Sequence, residues 1–315
     1  MNNTIIAILT AFISSAIICK MLIPFLTRLK FGQQVRDDGP KSHEKKTGTP
    51  TIGGIGIIAG FLLGALFFAL DNPDIALIII ITVLFGIVGF LDDFIKIKRK
   101  RSLGLRAWHK LVLQLIISIG FFVIWQNSPA FSSAIIIPFI DLSINLGWFY
   151  PVLVIFVFLS ATNGSNFTDG LDGLCSSVTA VIAIFFIMAA FLLGSNISPV
   201  IGAMFGALLG FLLYNAPPAK VFMGDAGSLA LGGFVAAVAL ILHMPLFLFF
   251  TACIYVIESI SVIIQIGYFK LTKKRFFKMA PIHHSFELSG YSETKITAIF
   301  IIITIIASLI GIMGL

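Results

Sequence analysis

Five aspartates stand in three short polar stretches of an otherwise apolar sequence. Asp92 and Asp93 lie in Leu91-Asp-Asp-Phe94, Asp169 and Asp172 in Asn163-Gly-Ser-Asn-Phe-Thr-Asp-Gly-Leu-Asp-Gly173, and Asp225 in Phe222-Met-Gly-Asp-Ala-Gly-Ser228. One Asn or Asp is enough to cap a turn between helices, so Asn163, Asn166, Asp169 and Asp172 within ten residues exceed what a turn requires. The adjacent carboxylates Asp92 and Asp93 repel, so one has a raised pKa unless a cation neutralises the pair; the plain alternative is a polar stop to a helix. Glycines beside Asp225 let backbone amides approach a ligand closely, against the plain reading of a loop aspartate. Oxygen ligands with few thiols or imidazoles suit Mg2+, which keeps waters and bridges to substrate phosphates. The chemistry expected is metal-assisted phosphoryl transfer, which rests on positioning and charge stabilisation. Lys46, Lys110 and the pair His283-His284 are candidates to neutralise phosphate oxygens, although any single Lys also serves as a membrane-surface anchor.

The elements that must position these residues are membrane helices. Of 315 residues, 58% are hydrophobic and 11% charged, more apolar sequence than a soluble core needs. Ten apolar segments lie near residues 4–25, 52–70, 75–94, 107–125, 146–162, 174–194, 197–214, 227–243, 245–268 and 295–313. The first is too long for a signal-peptide core and lacks a small-residue cleavage site, so it reads as a spanning helix. Cys19, Cys175 and Cys253 lie in or beside apolar runs without metal-type spacing and imply no disulfide. The fold class is therefore all-α: a polytopic integral membrane protein of ten transmembrane helices in a single domain, with an active-site cleft on the cytoplasmic side.

Orientation follows from the basic residues. The connections after segments one, three, seven and nine carry Arg28 to Lys46, Lys96 to Arg106, Lys220, and Lys270 to Lys278, whereas the opposite connections contain no Lys or Arg. By the positive-inside rule the odd-numbered connections are cytoplasmic and both termini face outward. This assignment puts all three aspartate stretches on one side and accounts for the net charge of +7 without nucleic acid. The outer connections read as plain linkers. Glu258 and Gln265, seven residues apart on one helical face, lie inside an apolar run; Glu258 is expected to line a cavity or brace a neighbour rather than to do chemistry.

Five ordered motifs carry a resemblance across the whole chain: Lys41-Ser-His-Glu-Lys-Lys-Thr-Gly-Thr-Pro-Thr-Ile-Gly-Gly54, Leu91-Asp-Asp-Phe94, Asn166-Phe-Thr-Asp-Gly-Leu-Asp-Gly173, Tyr214-Asn-Ala-Pro-Pro-Ala-Lys-Val-Phe-Met-Gly-Asp-Ala-Gly-Ser-Leu229 and Met279-Ala-Pro-Ile-His-His-Ser-Phe-Glu-Leu288. They resemble the phospho-N-acetylmuramoyl-pentapeptide transferase (MraY) family, within the polyprenyl-phosphate N-acetylhexosamine-1-phosphate transferases. The resemblance implies transfer of phospho-MurNAc-pentapeptide from its UDP carrier to undecaprenyl phosphate, giving lipid I and UMP in a bacterial plasma membrane. It implies Mg2+ as cofactor, membrane lipid as partner, and allows a homodimer. By motif, Asp92 and Asp93 would lie near the lipid phosphate, one as a base, and Asp225 would be the metal ligand. Asn166, Asp169 and Asp172 would line the cleft, with Asp172, Asn215 and Phe222 toward uridine. Lys46, Lys110, His283 and His284 would meet phosphates or hold the loop over them, with His283 placed in the catalytic set. Ser285 stands where the family has a third consecutive histidine, Ile52 where Met is usual, and Ala226 where many members have Thr.

Two other readings compete. A relative that moves N-acetylhexosamine-1-phosphate shares the carboxylates but fits residues 41–54 and 279–288 less well. A Mg2+-coupled transporter would place charges at mid-membrane in several helices, whereas here only Glu258 lies deep.

Overall fold

The computed structural model describes residues 1–29, 48–99, 104–140 and 142–315. The helices are α1 (Asn2–Arg28), α2 (Gly54–Ala69), α3 (Pro73–Lys98), α4 (Ala107–Trp125), α5 (Tyr150–Thr168), α6 (Leu174–Leu192), α7 (Ser198–Asn215) and α8 (Gly224–Ile241). They are followed by the short α9 (Leu248–Thr251), then α10 (Cys253–Thr272), the short α11 (Ile282–Glu287) and α12 (Glu293–Met313). Among the described residues nine helices are long and apolar enough to cross a membrane, and α2, at 16 residues, is a shorter apolar helix. The chain is a multi-pass membrane protein, predominantly helical among the described residues.

The bundle is organised around α8, whose residues Ala226 to Ile241 are all buried. It packs against α2, α3, α5 and α6. No hydrophobic drive pulls helices together within lipid, so they associate through close backbone approach at small residues. A Cβ on Gly89 of α3 would strike the Asp225 carbonyl of α8, and one on Gly54 of α2 would strike the Gly227 backbone. Gly89→Ala is therefore expected to force α3 away from α8 and to cost about 1–3 kcal/mol, read as a lower thermal midpoint in detergent. Aromatic rings fill the opposite end of the bundle, where Phe121, Phe131 and Tyr150 pack around Trp125.

Three boundaries differ from the sequence expectation, and two of them move site residues. First, α3 runs past Asp92 and Asp93 to Lys98, so the pair sits inside the helix rather than ending it. Second, α5 continues to Thr168, making Asn163 and Asn166 helical rather than part of a connection. Its polar side chains return bonds to the helix: Thr162 Oγ1 donates to the Phe158 carbonyl, Asn163 Nδ2 to the Leu159 carbonyl and Thr168 Oγ1 to the Gly164 carbonyl. They thus let the helix leave the apolar zone without unwinding. Third, the segment 245–268 is broken at Ala252, between α9 and α10.

The connection 126–145 is also more than a linker. It forms an antiparallel hairpin, β1 (Ala134–Ile137) with β2 (Leu142–Asn145), pairing Ala134 with Asn145 and Ile137 with Leu142. The Ile136 amide donates to the His243 carbonyl and the Phe139 amide to the Gly314 carbonyl, which fixes the hairpin to the ends of α8 and α12.

Candidate active site

The C-terminal turns of α3 and α5 meet the N-termini of α4 and α8 at one end of the bundle. Asp92 and Asp93, only 3% and 4% exposed, face Asp225 in the first turn of α8. One carboxylate oxygen from each lies within 4.8 Å of the others. Lys96, one turn along α3, sits among them, its Nζ 2.6 Å from Asp92 Oδ2, 3.3 Å from Asp93 Oδ1 and 3.2 Å from Asp225 Oδ2. Lys110 of α4 reaches the same Asp225 oxygen at 2.7 Å.

The remaining acceptor positions are used for orientation. Asp93 Oδ2 accepts the Ala226 amide at 3.0 Å, from the first turn of α8, where the helix dipole favours negative charge. Asp92 Oδ1 accepts the Leu105 amide at 2.8 Å. Asn166 donates Nδ2 to Asp225 Oδ1 at 3.0 Å and to Ser228 Oγ at 2.9 Å, while Ser165 Oγ donates to the Ser228 carbonyl. Each carboxylate is thereby held by a backbone or amide donor on one side and by an ammonium on the other. Three convergent carboxylates with no thiol among them fit a hard divalent cation. Two ammonium groups on the same trio fit the phosphate groups of an anionic substrate.

Asp169 caps α5 next to this centre. Burial, followed by repulsion from Asp225 and Asp93, pushes its carboxyl up to about 8, with partial relief from Lys96 and the Gly224 amide. A cation brought to the centre would favour its ionised form.

Asp172 and Asn215 shape the adjoining turn rather than the carboxylate centre. Asp172 Oδ2 accepts the Ala219 amide at 2.8 Å; Asn215 donates to the Val221 carbonyl and accepts from Ser176 Oγ, both at 2.9 Å. Phe222, half-buried, exchanges backbone bonds with Gly53 and Pro50, so residues 50–54 run beside the start of α8. Lys46 lies outside the described residues.

His283 is fully buried, with Nδ1 3.0 Å from Glu258 Oε1, and His284 Nδ1 lies 2.7 Å from Glu287 Oε2. Glu258 thus braces the α11 segment, the partner that an ionisable group in an apolar run needs. Its companion Gln265 accepts the Phe276 and Phe277 amides through Oε1. Ser285 closes the turn that opens α11: its Oγ donates to the Met279 carbonyl at 2.6 Å and accepts the Met279 amide at 3.1 Å. Ser285→Ala is expected to release both bonds and cost about 1–2 kcal/mol, seen as faster hydrogen exchange in residues 276–288 with the rest of the bundle unchanged.

Lys96 is the residue that sequence reading missed as part of the centre, because it opens a run of basic residues that reads as a membrane-surface cluster. Its signal was the spacing: Asp92, Asp93 and Lys96 stand at i, i+1 and i+4, which puts the ammonium over both carboxylates on one helix face. Ser228, three residues after Asp225, was missed as well.

A helical membrane bundle with carboxylates and ammonium groups gathered at one end is the architecture of an enzyme that handles phosphorylated substrates within a bilayer. In agreement, the family described as Glycosyl transferase family 4 matches residues 75–243, a stretch that includes Asp92, Asp93, Lys96, Lys110, Asn166 and Asp225. The chain is 48% identical over its full length to the phospho-N-acetylmuramoyl-pentapeptide-transferase of Clostridium novyi, covering 98% of that protein. It is 50% identical to the enzyme of that name from Clostridium perfringens, over 96% of this chain and 95% of the relative. With the one from Caldicellulosiruptor bescii it shares 47% identity over 98% and 96% of the two chains. The chain belongs to the phospho-N-acetylmuramoyl-pentapeptide transferase family.

Proposed function

We propose that the chain moves phospho-MurNAc-pentapeptide from UDP-MurNAc-pentapeptide to undecaprenyl phosphate, releasing UMP and leaving lipid I in the membrane. The observation that carries this reading is the convergence of Asp92, Asp93 and Asp225 with Lys96 and Lys110 at one end of an apolar bundle. A lipid phosphate oxygen forms a bond to the sugar-linked phosphorus, the diphosphate bridge breaks, and UMP departs with the bridging oxygen.

Lys96 and Lys110 bind and orient the phosphates, and Asp92 or Asp93 accepts the proton of the lipid phosphate. Asn166, fixed by Ser228, holds Asp225 in its rotamer. Mg2+ is the proposed cofactor, with Asp225 as its principal ligand and Asp92 and Asp93 beside it, and it supplies charge neutralisation of the diphosphate. Asp172, Asn215 and Phe222 are assigned to the uridine side, Asp169 to the cleft wall, and Lys46 and His284 to phosphate contacts. The basic residues around this end support a cytoplasmic active site with both termini outside.

The test is UMP release by purified protein with undecaprenyl phosphate, supplied in parallel with UDP-MurNAc-pentapeptide or UDP-GlcNAc, with and without Mg2+. Mg2+-dependent UMP from the muramoyl substrate alone is expected. UMP from UDP-GlcNAc alone would move the chain to the N-acetylhexosamine-1-phosphate branch, and none from either would overturn the reading.

A further inference from the structure

Two polar side chains on one face of α10 carry the segment that follows it. Gln265 takes two amides of that segment, and two turns earlier Glu258 takes the Ile282 amide at 2.8 Å on Oε2 and His283 Nδ1 at 3.0 Å on Oε1. Both Glu258 and His283 are 0% exposed. A carboxylate accepts and cannot donate, so the His283 nitrogen facing it carries the hydrogen.

That bond has a consequence at the other side of the ring. His283 Nε2 is buried and has no hydrogen-bond partner among the described residues. It lies against Gly170, where any Cβ would strike it. Gly170 follows Asp169, whose carboxyl receives the Gly224 amide next to Asp225. The imidazole is therefore wedged between a fixed carboxylate and the turn that delivers Asp169 to the carboxylate centre.

We infer that Glu258 is a positioning residue of the transfer reaction: it fixes His283 as the Nδ1–H tautomer and presses the bare Nε2 onto the Asp169–Gly170 turn. Removing this bond does more than loosen α11. A glutamine at 258 retains an acceptor for the Ile282 amide, but its amide nitrogen then faces His283 Nδ1 as a donor. The ring must answer by moving its hydrogen to Nε2, where no acceptor waits and Gly170 lies in contact. The inference rests on the transfer activity proposed above.

Two measurements separate the inference from that reading. In 15N-histidine spectra of the detergent-solubilised full chain, with the His283 signals assigned by their loss in His283→Asn, the wild type is expected to show hydrogen on Nδ1 and Glu258→Gln to show it on Nε2. A wild-type ring protonated on Nε2 alone overturns the inference, whatever the variants do and whether or not UMP is released. In the UMP assay Glu258→Gln is expected to lower kcat by about 10- to 100-fold, the usual range for an outer-shell partner of a site residue, with KM changed by about twofold or less. The double variant Glu258→Gln/His283→Asn should be no slower than His283→Asn alone, because Glu258 acts through the ring. Losses that multiply in the double variant, or wild-type kcat in Glu258→Gln, would reduce Glu258 to a structural brace and sink the inference. Absence of UMP from the wild type would instead count against the transfer reading, while the spectra still decide the tautomer.

Discussion

Asp225→Asn is expected to lower UMP release by about 10²- to 10³-fold, the scale for removing one preorganised electrostatic group from a phosphoryl-transfer centre. Asp225 is the acidic residue that both lysines of the centre and Asn166 contact. An asparagine can still accept from Asn166, but its amide nitrogen would then oppose Lys96 and Lys110, donor against donor. The fold should survive, since Lys96 retains Asp92 and Asp93. The check is kcat over a Mg2+ titration together with a size-exclusion profile. Residual activity should need more Mg2+ than the wild type, and full turnover at wild-type Mg2+ would remove Asp225 from the metal assignment.

Lys96→Met is expected to act first on stability. It leaves Asp92, Asp93 and Asp225 facing one another without the ammonium that joins them, and breaking a buried charge group from one side costs about 3–5 kcal/mol. With the Lys96 side chain 30% exposed, the low end, about 3 kcal/mol, is the expected loss. Millimolar Mg2+ should restore much of it, because a divalent cation neutralises the same oxygens, and the wild type should gain less. Thermal unfolding with and without Mg2+ measures both. Equal gains in wild type and variant would show that the cation does not bind among these carboxylates.

The helical bundle was legible because hydropathy alone marks spans of sufficient length, and the gathering of the aspartates at one end followed from where they fall between those spans. Pairing within the centre was less accessible. Asp225 meets Asp93 only because Gly89 lets α3 approach the first turn of α8, and no local pattern announces that contact. Lys96 was concealed by its basic neighbours. Glu258 was legible as a group needing a partner, but its partner lies in a segment with no apolar periodicity of its own. The end of α5 was read short because Asn and Thr favour turns in isolation, whereas here their side chains bond back into the helix. The β-branched run Ile135 to Ile137 is the retrospective signal for the hairpin.

The contrast between α8 and the segment carrying α11 bears on how the protein could escape a tight-binding inhibitor. Residues Ala226 to Ile241 are sheathed by other helices, so nearly any replacement there disturbs packing and removes enzyme along with inhibitor. Residues 276–288 are tied to α10 through Gln265 and Glu258 and touch α12 through Phe286 on Phe300, and several of them are exposed. A compound anchored on the first turn of α8 should therefore select few resistant variants, each slow-growing, whereas one gripping only the exposed positions of the 276–288 segment, away from His283 and His284, should select more of them at smaller fitness cost.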